Sequence, residues 1–392
     1  MSLLEKLTRP AWMEIDLDNL IHNHKEIRSI LKEKKTELMA VVKADAYEHG
    51  AVQIVRTLME EGVKKFGVAH LSEALHIRKY VKDAEILIMG YTPEYLAEKA
   101  ILNDITLTVY LKEQGEIFSK LAKRLNRTVK IHVKIETGMN RLGFMPNEDG
   151  IKDIKDIYNM DNIEVEGMFT HFAASDDDPS YTMEQVRRFD YVCNALQKLD
   201  INIPIKHISN SAAIMNFPDL NYDMVRAGII LYGVYPFPNA DRELLKLKNI
   251  LALKAQISHV KEIGSGEKLS YGLIYEAKKK TKIATVPIGY ADGFSRELSN
   301  KGNCIVNNTV VPIVGRICMD QLMIDVTGLD VKRGDEVILM GKSLDKEITI
   351  EEVANKSGQI PAAVQCMFNK RLPRIYIKNK EIINVTDYLL EL

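Results

Sequence analysis

Two rhythms of apolar and polar positions divide the chain. Up to about residue 245, short apolar or β-branched runs alternate with stretches whose apolar residues recur at helical spacing. Eight of the runs read as strands: Leu38 to Lys43, Phe66 to His70, Ile86 to Gly90, Ile105 to Tyr110, Val129 to Ile135, Val165 to Thr170, Ile205 to Ser209 and Met224 to Ala227. Between them, Val52 to Glu61, Glu73 to Val81, Glu94 to Leu102, Glu116 to Leu125 and Met183 to Leu199 carry apolar residues on one face and read as crossover helices. Ahead of the first strand, Asp18 is placed to cap a helix running to Lys32. Strand and helix repeating over about 230 residues predict an α/β fold, a (β/α)8 TIM-type barrel. A doubly wound open sheet would give the same periodicity and stays open at this point.

Beyond residue 245 the rhythm changes. Ile250 to Ile263, Lys282 to Ile288, Asn303 to Val314, Leu322 to Val326, Glu336 to Met340 and Arg374 to Ile377 read as strands between glycine-rich turns, and Ile350 to Lys356 reads as a helix. The expected organisation is a barrel over 12–245 followed by a mostly antiparallel β domain over 246–392, with residues 1–11 packing on the latter.

Composition narrows the class of protein without naming a function. With 392 residues, 46% hydrophobic and 27% charged, the chain has the make-up of an ordinary globular protein of two or three domains. Fifty-three basic against 54 acidic residues leave a formal charge of −1, which supplies no long-range field for nucleic acid or an anionic membrane. The cysteines Cys193, Cys304, Cys318 and Cys366 form no CxxC pair, and no HxH or HExxH spacing points to a metal. Charges interrupt the N-terminal stretch, and no apolar run approaches the ~18 residues of a membrane span, so the expected setting is a reducing cytoplasm.

In a barrel, chemistry gathers where strands end. Those positions are Lys43, His70, Gly90, Tyr110, Lys134, His171, His207 and Arg226, a largely ionisable rim. Ser209-Asn210-Ser211 after the seventh strand and Ala227-Gly228-Ile229 after the eighth suggest a phosphate site, so the pattern predicts a phosphorylated ligand. Lys43 ends an apolar strand, where desolvation would favour the free amine of a Schiff base; a solvated strand-end lysine is the plain alternative. Arg226 lies in an apolar run that is costly for a guanidinium without a buried partner, and an ion pair and a cofactor contact both account for it. Arg141, in a loop after Lys134 and Glu136, could clamp a carboxylate with its planar fork.

The segments Val41-Val-Lys-Ala-Asp-Ala-Tyr47 with His49-Gly50, Thr137-Gly-Met-Asn-Arg-Leu-Gly143, His207-Ile-Ser-Asn-Ser-Ala212, Val225-Arg-Ala-Gly-Ile229, Leu269-Ser-Tyr-Gly272, Gly289-Tyr-Ala-Asp-Gly293, Gly315-Arg-Ile-Cys-Met-Asp320 and Leu372-Pro-Arg-Ile-Tyr376 resemble, in order, those of bacterial alanine racemases. That family uses pyridoxal 5'-phosphate. The resemblance implies that Lys43 forms the internal aldimine and that Tyr271, lent across a homodimer interface, is the second acid/base, so that the two bases flank opposite faces of the substrate α-carbon. Arg226 would face the pyridine nitrogen with His207 behind it, and His171 would link Arg226 to Tyr271. Tyr47, Ser211, Gly228, Ile229 and Tyr376 match phosphate contacts. Arg141 matches the residue beside the cofactor's phenolic oxygen and the substrate carboxylate, and Met319 a carboxylate contact from the partner chain. Tyr290 and Arg316 map to the entrance, and Lys134 to a position carbamylated in many relatives.

The implied activity is interconversion of L- and D-alanine for peptidoglycan, with no nucleic-acid, membrane or metal partner. A racemase of the same fold acting on serine, lysine or a broad range of amino acids is the alternative. Two departures stand out. Glu48 occupies a position where glycine is usual, and its charge would weaken cofactor affinity if it pointed inward. Ala362-Ala363-Val-Gln-Cys366 replaces Tyr-Glu-Val-Leu-Cys, which bears on packing beneath Tyr376.

Overall fold

The computed structural model describes residues 7–33 and 35–390. The chain divides into two compact units: one comprises residues 21–46 and 51–248, the other the N-terminal residues to Leu20, Tyr47–Gly50 and Asn249 onward. Strand β1 (Ala11–Asp16) belongs to the second unit and leads into a helix, Leu17–Ile30.

The first unit holds eight strands: β2 (Glu37–Val41), β3 (Lys65–Val68), β4 (Glu85–Ile88), β5 (Thr106–Val109), β6 (Val129–Lys134), β7 (Ile163–Phe169), β8 (Ile205–His207) and β9 (Met224–Ala227). They pair in parallel in the order β8-β7-β6-β5-β4-β3-β2-β9. Asp223 N donates to Lys206 O at 3.1 Å and Arg226 N to Ser209 O at 3.0 Å, bringing the two ends of the sheet together. The open doubly wound alternative is thereby excluded: a nearly closed barrel forms. Several of its strands, β3 and β5 among them, are buried along their whole length, so both faces of the sheet are covered. Amphipathic helices wrap it; in Ala51–Glu60 the buried residues Ala51, Ile54, Val55 and Leu58 form one stripe.

Two helices of this unit escaped the sequence pattern. Glu148–Tyr158 is rich in charge and has Gly150 in its first turn, but Ile151, Ile154 and Ile157 bury one face and Asn147 caps it. Ser211–Asn216 is too short to show a period. The cap of Leu17–Ile30 also differs. Asp16 Oδ1 accepts from Asn19 N at 2.9 Å, while Asp18 accepts from Asn379 N at 2.7 Å, a contact within the second unit.

The second unit is built on a sheet ordered β16-β15-β18-β10-β1-β20-β21, with β19 (Lys346–Ile348) on β18. Its strands are β10 (Leu251–Gln256), β15 (Asn303–Val306), β16 (Thr309–Pro312), β18 (Glu336–Ser343), β20 (Arg374–Lys378) and β21 (Glu381–Thr386), and every pairing is antiparallel except β1 with β20. A second sheet joins β11 (His259–Ile263), β14 (Thr281–Val286) and β17 (Leu322–Asp325). A short ladder pairs β12 (Lys268–Leu269) with β13 (Tyr275–Glu276). The run Ile250 to Ile263 splits into β10 and β11, which belong to different sheets. The run Asn303 to Val314 folds back through Asn307-Asn308, both at positive φ as a tight hairpin requires.

Residues 12–20 belong to this β-rich unit and not to the barrel. Once Trp12, Met13 and Ile15 are buried between β10 and β20, the strand's hydrogen bonds are satisfied on both edges. Arg9 adds an ion pair to buried Asp292 at 2.6 Å.

Candidate active site

Lys43 follows β2 and starts a turn that few sequences tolerate. Ala44, Asp45, Ala46, Tyr47 and Glu48 all have φ between 50° and 65°, one turn of left-handed helix without a glycine. Each such residue costs roughly 1–2 kcal/mol, so the surroundings must hold the turn in place. Glu73 does much of this: Oε1 accepts from Ala44 N at 2.7 Å and Oε2 from Ala69 N at 2.7 Å, joining the ends of β2 and β3. Asp45 accepts from Ala51 N at 2.7 Å, and Tyr232 donates its hydroxyl proton to Val41 O at 2.8 Å. Strain concentrated at one strand end, with dedicated supports, singles out this turn as a candidate functional position. Lys43 itself lies exposed in the single chain, which matches the solvated of the two sequence readings.

On the neighbouring strand β9, which pairs with β2, Arg226 is buried among neutral acceptors. Nη1 donates to His207 Nδ1 at 3.2 Å and His207 O at 3.0 Å; Nη2 donates to Thr170 O at 2.9 Å, Ile208 O at 3.1 Å and His171 Nδ1 at 3.3 Å. Among the described residues no carboxylate pairs with it, and none accepts from its Nε–H. The ion-pair reading of Arg226 therefore fails. Burial, then the charge of Arg141, press its pKa down, but a guanidinium keeps its proton.

A directed chain of hydrogen bonds runs from this arginine through the barrel core. Arg226 can only donate, so His207 Nδ1 accepts and its Nε2 carries the proton toward His132 Nδ1, 2.8 Å away. His132 Nε2 then points its proton at Glu166, 3.4 Å away. Burial holds both histidines neutral, while the His132 hydrogen bond and the cations Lys65 and Lys130 keep Glu166 ionised, its pKa at about 2. His171 is also neutral, pushed well down by burial and by Arg226, Lys134, Arg141 and Lys43 in turn. Its Nδ1 faces Arg226, so its proton sits on Nε2.

Lys134, on β6, is 4% exposed. Its amine makes a long contact to Ile135 O at 3.4 Å and, like the Arg226 guanidinium, lies near the Phe169 ring, 5.3 Å from its centroid. Burial, with Arg226 next and Glu136 opposing, pushes its pKa down to about 7. Glu136 does not pair across the strand with Lys134 but organises the next loop, accepting from Gly138 N at 2.7 Å and Arg141 N at 2.9 Å. Gly143 packs so closely on it that a Cβ would lie 2.3 Å from Glu136 N. This leaves the Arg141 side chain exposed at the rim.

Ser211 and Gly228 meet at the ends of β8 and β9, with Gly228 N donating to Ser211 Oγ at 3.0 Å and Ile229 next in the chain. In the β-rich unit, buried Tyr376 on β20 rests its hydroxyl against Gly50, where an added Cβ would be 1.8 Å away. Burial pushes the Tyr47 hydroxyl pKa up. Glu48 turns to Arg374 (2.7 Å), so its charge is committed to a partner.

Also in that unit, Tyr271 is 70% exposed, at the tip of a turn that Ser270 pins by donating to Arg316 O at 2.6 Å. Tyr290 N donates to Cys318 O and Ala291 N to Met319 O, so Tyr271, Tyr290, Arg316 and Met319 lie on one linked set of loops. Leu273 and Met319 there are exposed as well. The sequence-derived residues thus form two groups, one at the barrel's strand ends and one on the β-rich unit.

Comparison with known proteins matches both halves of the chain to one family. Residues 15–236 match the description "Alanine racemase, N-terminal domain" and residues 250–376 match "Alanine racemase, C-terminal domain". The chain belongs to the alanine racemase family. An alanine racemase of Clostridium tetani is 45% identical over 387 residues, spanning 98% of this chain and 100% of its own. The alanine racemase of Clostridium difficile 630, solved in complex with cycloserine, superposes with a TM-score of 0.93 at 42% identity, over 98% of this chain and 100% of that one. That of Bartonella henselae, with covalently bound pyridoxal phosphate, gives 0.82 at 29% identity over 94% and 99%. The barrel followed by an antiparallel β domain is the alanine racemase architecture, and the chain is an enzyme of that racemase family. The structure adds residues that motif reading passed over: Glu73, Tyr232, His132 and Glu166. An acid at the third position of the helix Leu71–Tyr80 is a legible capping signal; the other three needed the fold.

Proposed function

We propose that the chain racemises alanine with pyridoxal phosphate held on Lys43, in a cytoplasmic homodimer whose active sites are shared, supplying D-alanine for peptidoglycan. Arg226 carries the reading. A buried cation whose two Nη groups are engaged by neutral acceptors, with Nε–H left over and no carboxylate among the described residues, suits a neutral ring nitrogen, and a guanidinium will not hand that nitrogen a proton. Side reactions that need a long-lived carbanion are disfavoured by such a partner. The covalently bound cofactor of the Bartonella henselae relative and the cycloserine of the Clostridium difficile one point the same way. No helix is long and apolar enough to cross a membrane among the described residues.

When bound, pyridoxal phosphate would delocalise the electron pair left by removal of the α-proton. Lys43 would hold it and exchange a proton on one face of the α-carbon. Ser211, Gly228, Ile229, Tyr47 and Tyr376 would hold its phosphate. Tyr271 of the partner subunit would serve the opposite face, the exposure of its turn and of Leu273 and Met319 suiting a surface covered by a second copy. A neutral His171 with its proton on Nε2 is set to donate to that phenolate, with Arg226 behind it. Arg141 and Met319 of the partner subunit would hold the substrate carboxylate. Turnover of alanine is expected to exceed that of serine, lysine and arginine in a side-by-side assay, and preference for any other amino acid overturns the substrate.

Lys134 is expected to be carbamylated, because its buried amine is half deprotonated near neutrality and the product anion would face Arg226 and Arg141. Intact mass should show one added carbon dioxide per chain; a bare mass together with a bare amine in a crystal map would refute it. In bicarbonate-free buffer the lysine's depressed pKa has a thermodynamic signature. The unfolded chain binds the proton up to about pH 10 and the folded chain only to about 7, so stability should rise across that window. Thermal melts of Lys134→Met should lack the rise.

A further inference from the structure

We infer that Glu48 is a positioning residue for the cofactor's phosphate end, clamping the segment Tyr47–Gly50 onto β20 through Arg374. This rests on the function proposed above. Arg374 has no exposed side-chain surface, and it grips Glu48 twice: Nη2 donates to the carboxylate at 2.7 Å and Nε to the Glu48 main-chain oxygen at 3.1 Å. Its Nη1 is taken by Leu372 O at 2.8 Å and Asn369 O at 3.2 Å, and Tyr388 stacks on it at 4.8 Å. Among the described residues Glu48 is therefore the one carboxylate that pairs with it.

The contacts run in step. Arg374 and Tyr376 are two residues apart on the same face of β20. Glu48 and Gly50 are two apart on the facing segment, and Glu48 meets Arg374 where Gly50 meets the Tyr376 hydroxyl. Moving Glu48 off Arg374 would shift Tyr47 and Gly50 together, and with Gly50 the surface that seats Tyr376. Glu48 also has φ 65°, where glycine is at ease and glutamate is not. At Glu48 a backbone conformation that glycine adopts more easily is combined with a carboxylate that meets a buried guanidinium. The departure from the family's glycine is then an added clamp rather than a defect.

The two effects predict opposite signs for one substitution. Glu48→Gly relieves the backbone and deletes the clamp. If the clamp matters, pyridoxal phosphate should leave the diluted holoenzyme roughly tenfold faster than from wild type. Glu48→Gln should behave alike, and Glu48→Asp should recover part of the retention. A raised melting temperature with unchanged release in Glu48→Gly overturns the inference, as does a lowered melting temperature with unchanged release, which would mean a purely structural role. Wild-type protein that takes up no pyridoxal phosphate overturns the proposed function and this inference together; wild-type uptake with variants indistinguishable from it overturns this inference alone.

Discussion

Lys43→Ala removes racemisation by about 10³-fold or more while leaving the fold intact. The loss is large because one side chain would do two jobs, holding the cofactor and moving a proton on one face of the α-carbon. The fold should survive because Lys43 is exposed, and the left-handed turn after it is held by other groups: Glu73 on Ala44 N, Asp45 on Ala51 N and Tyr232 on Val41 O. Exposed substitutions away from such supports usually change stability by no more than about 0.5 kcal/mol. The direct check is borohydride reduction of the cofactor-loaded wild type, which should fix the label on Lys43 and bleach the absorbance near the visible edge. Label on another lysine, or a variant that still turns over, would remove the central claim. Glu73→Gln makes an informative companion, since it weakens the support of the turn without touching the amine.

The strand rhythm was legible because the barrel strands are rich in apolar and β-branched residues, and because eight repeats reinforce one another. Elements with little periodicity to show escaped: Ser211–Asn216 by its length, Glu148–Tyr158 by its charge, and β1 because its burial comes from two strands more than 230 residues away in sequence. The rim cations were legible for a simple reason, that strand ends sit where the pattern breaks. Their partners were not. Nothing local ties His132 to His207 or Glu166, since parallel strands join positions by register, and register follows only from the closed sheet. Lys43 shows a different limit: a strand-end lysine after an apolar run reads as either desolvated or solvated, and the single chain decides for the solvated reading by leaving it exposed. Glu48 shows a third kind. Its charge reads as a hazard to an anionic ligand until Arg374, distant in sequence, is seen to engage it.

Tyr271→Phe tests the shared site. The phenol is exposed, so its loss should leave folding unchanged while kcat/KM falls by about 10³-fold. That fall must be equal for the two enantiomers: they have the same free energy in an achiral solvent, so the equilibrium constant is one and fixes the ratio of the two values. Direction appears instead in proton exchange. With Lys43 still present, one enantiomer should go on exchanging its α-hydrogen with deuterated solvent without inverting, while the other exchanges slowly; equal loss for both would refute a two-base site. Mixing then decides which chain supplies the tyrosine. In a hybrid dimer of Lys43→Ala with Tyr271→Phe, a site built across the interface has one copy with both groups intact and one with neither. Random reassortment should therefore restore roughly a quarter of wild-type activity from two inactive parents. If Tyr271 instead served its own barrel, every site in the mixture would lack one group and no activity would return.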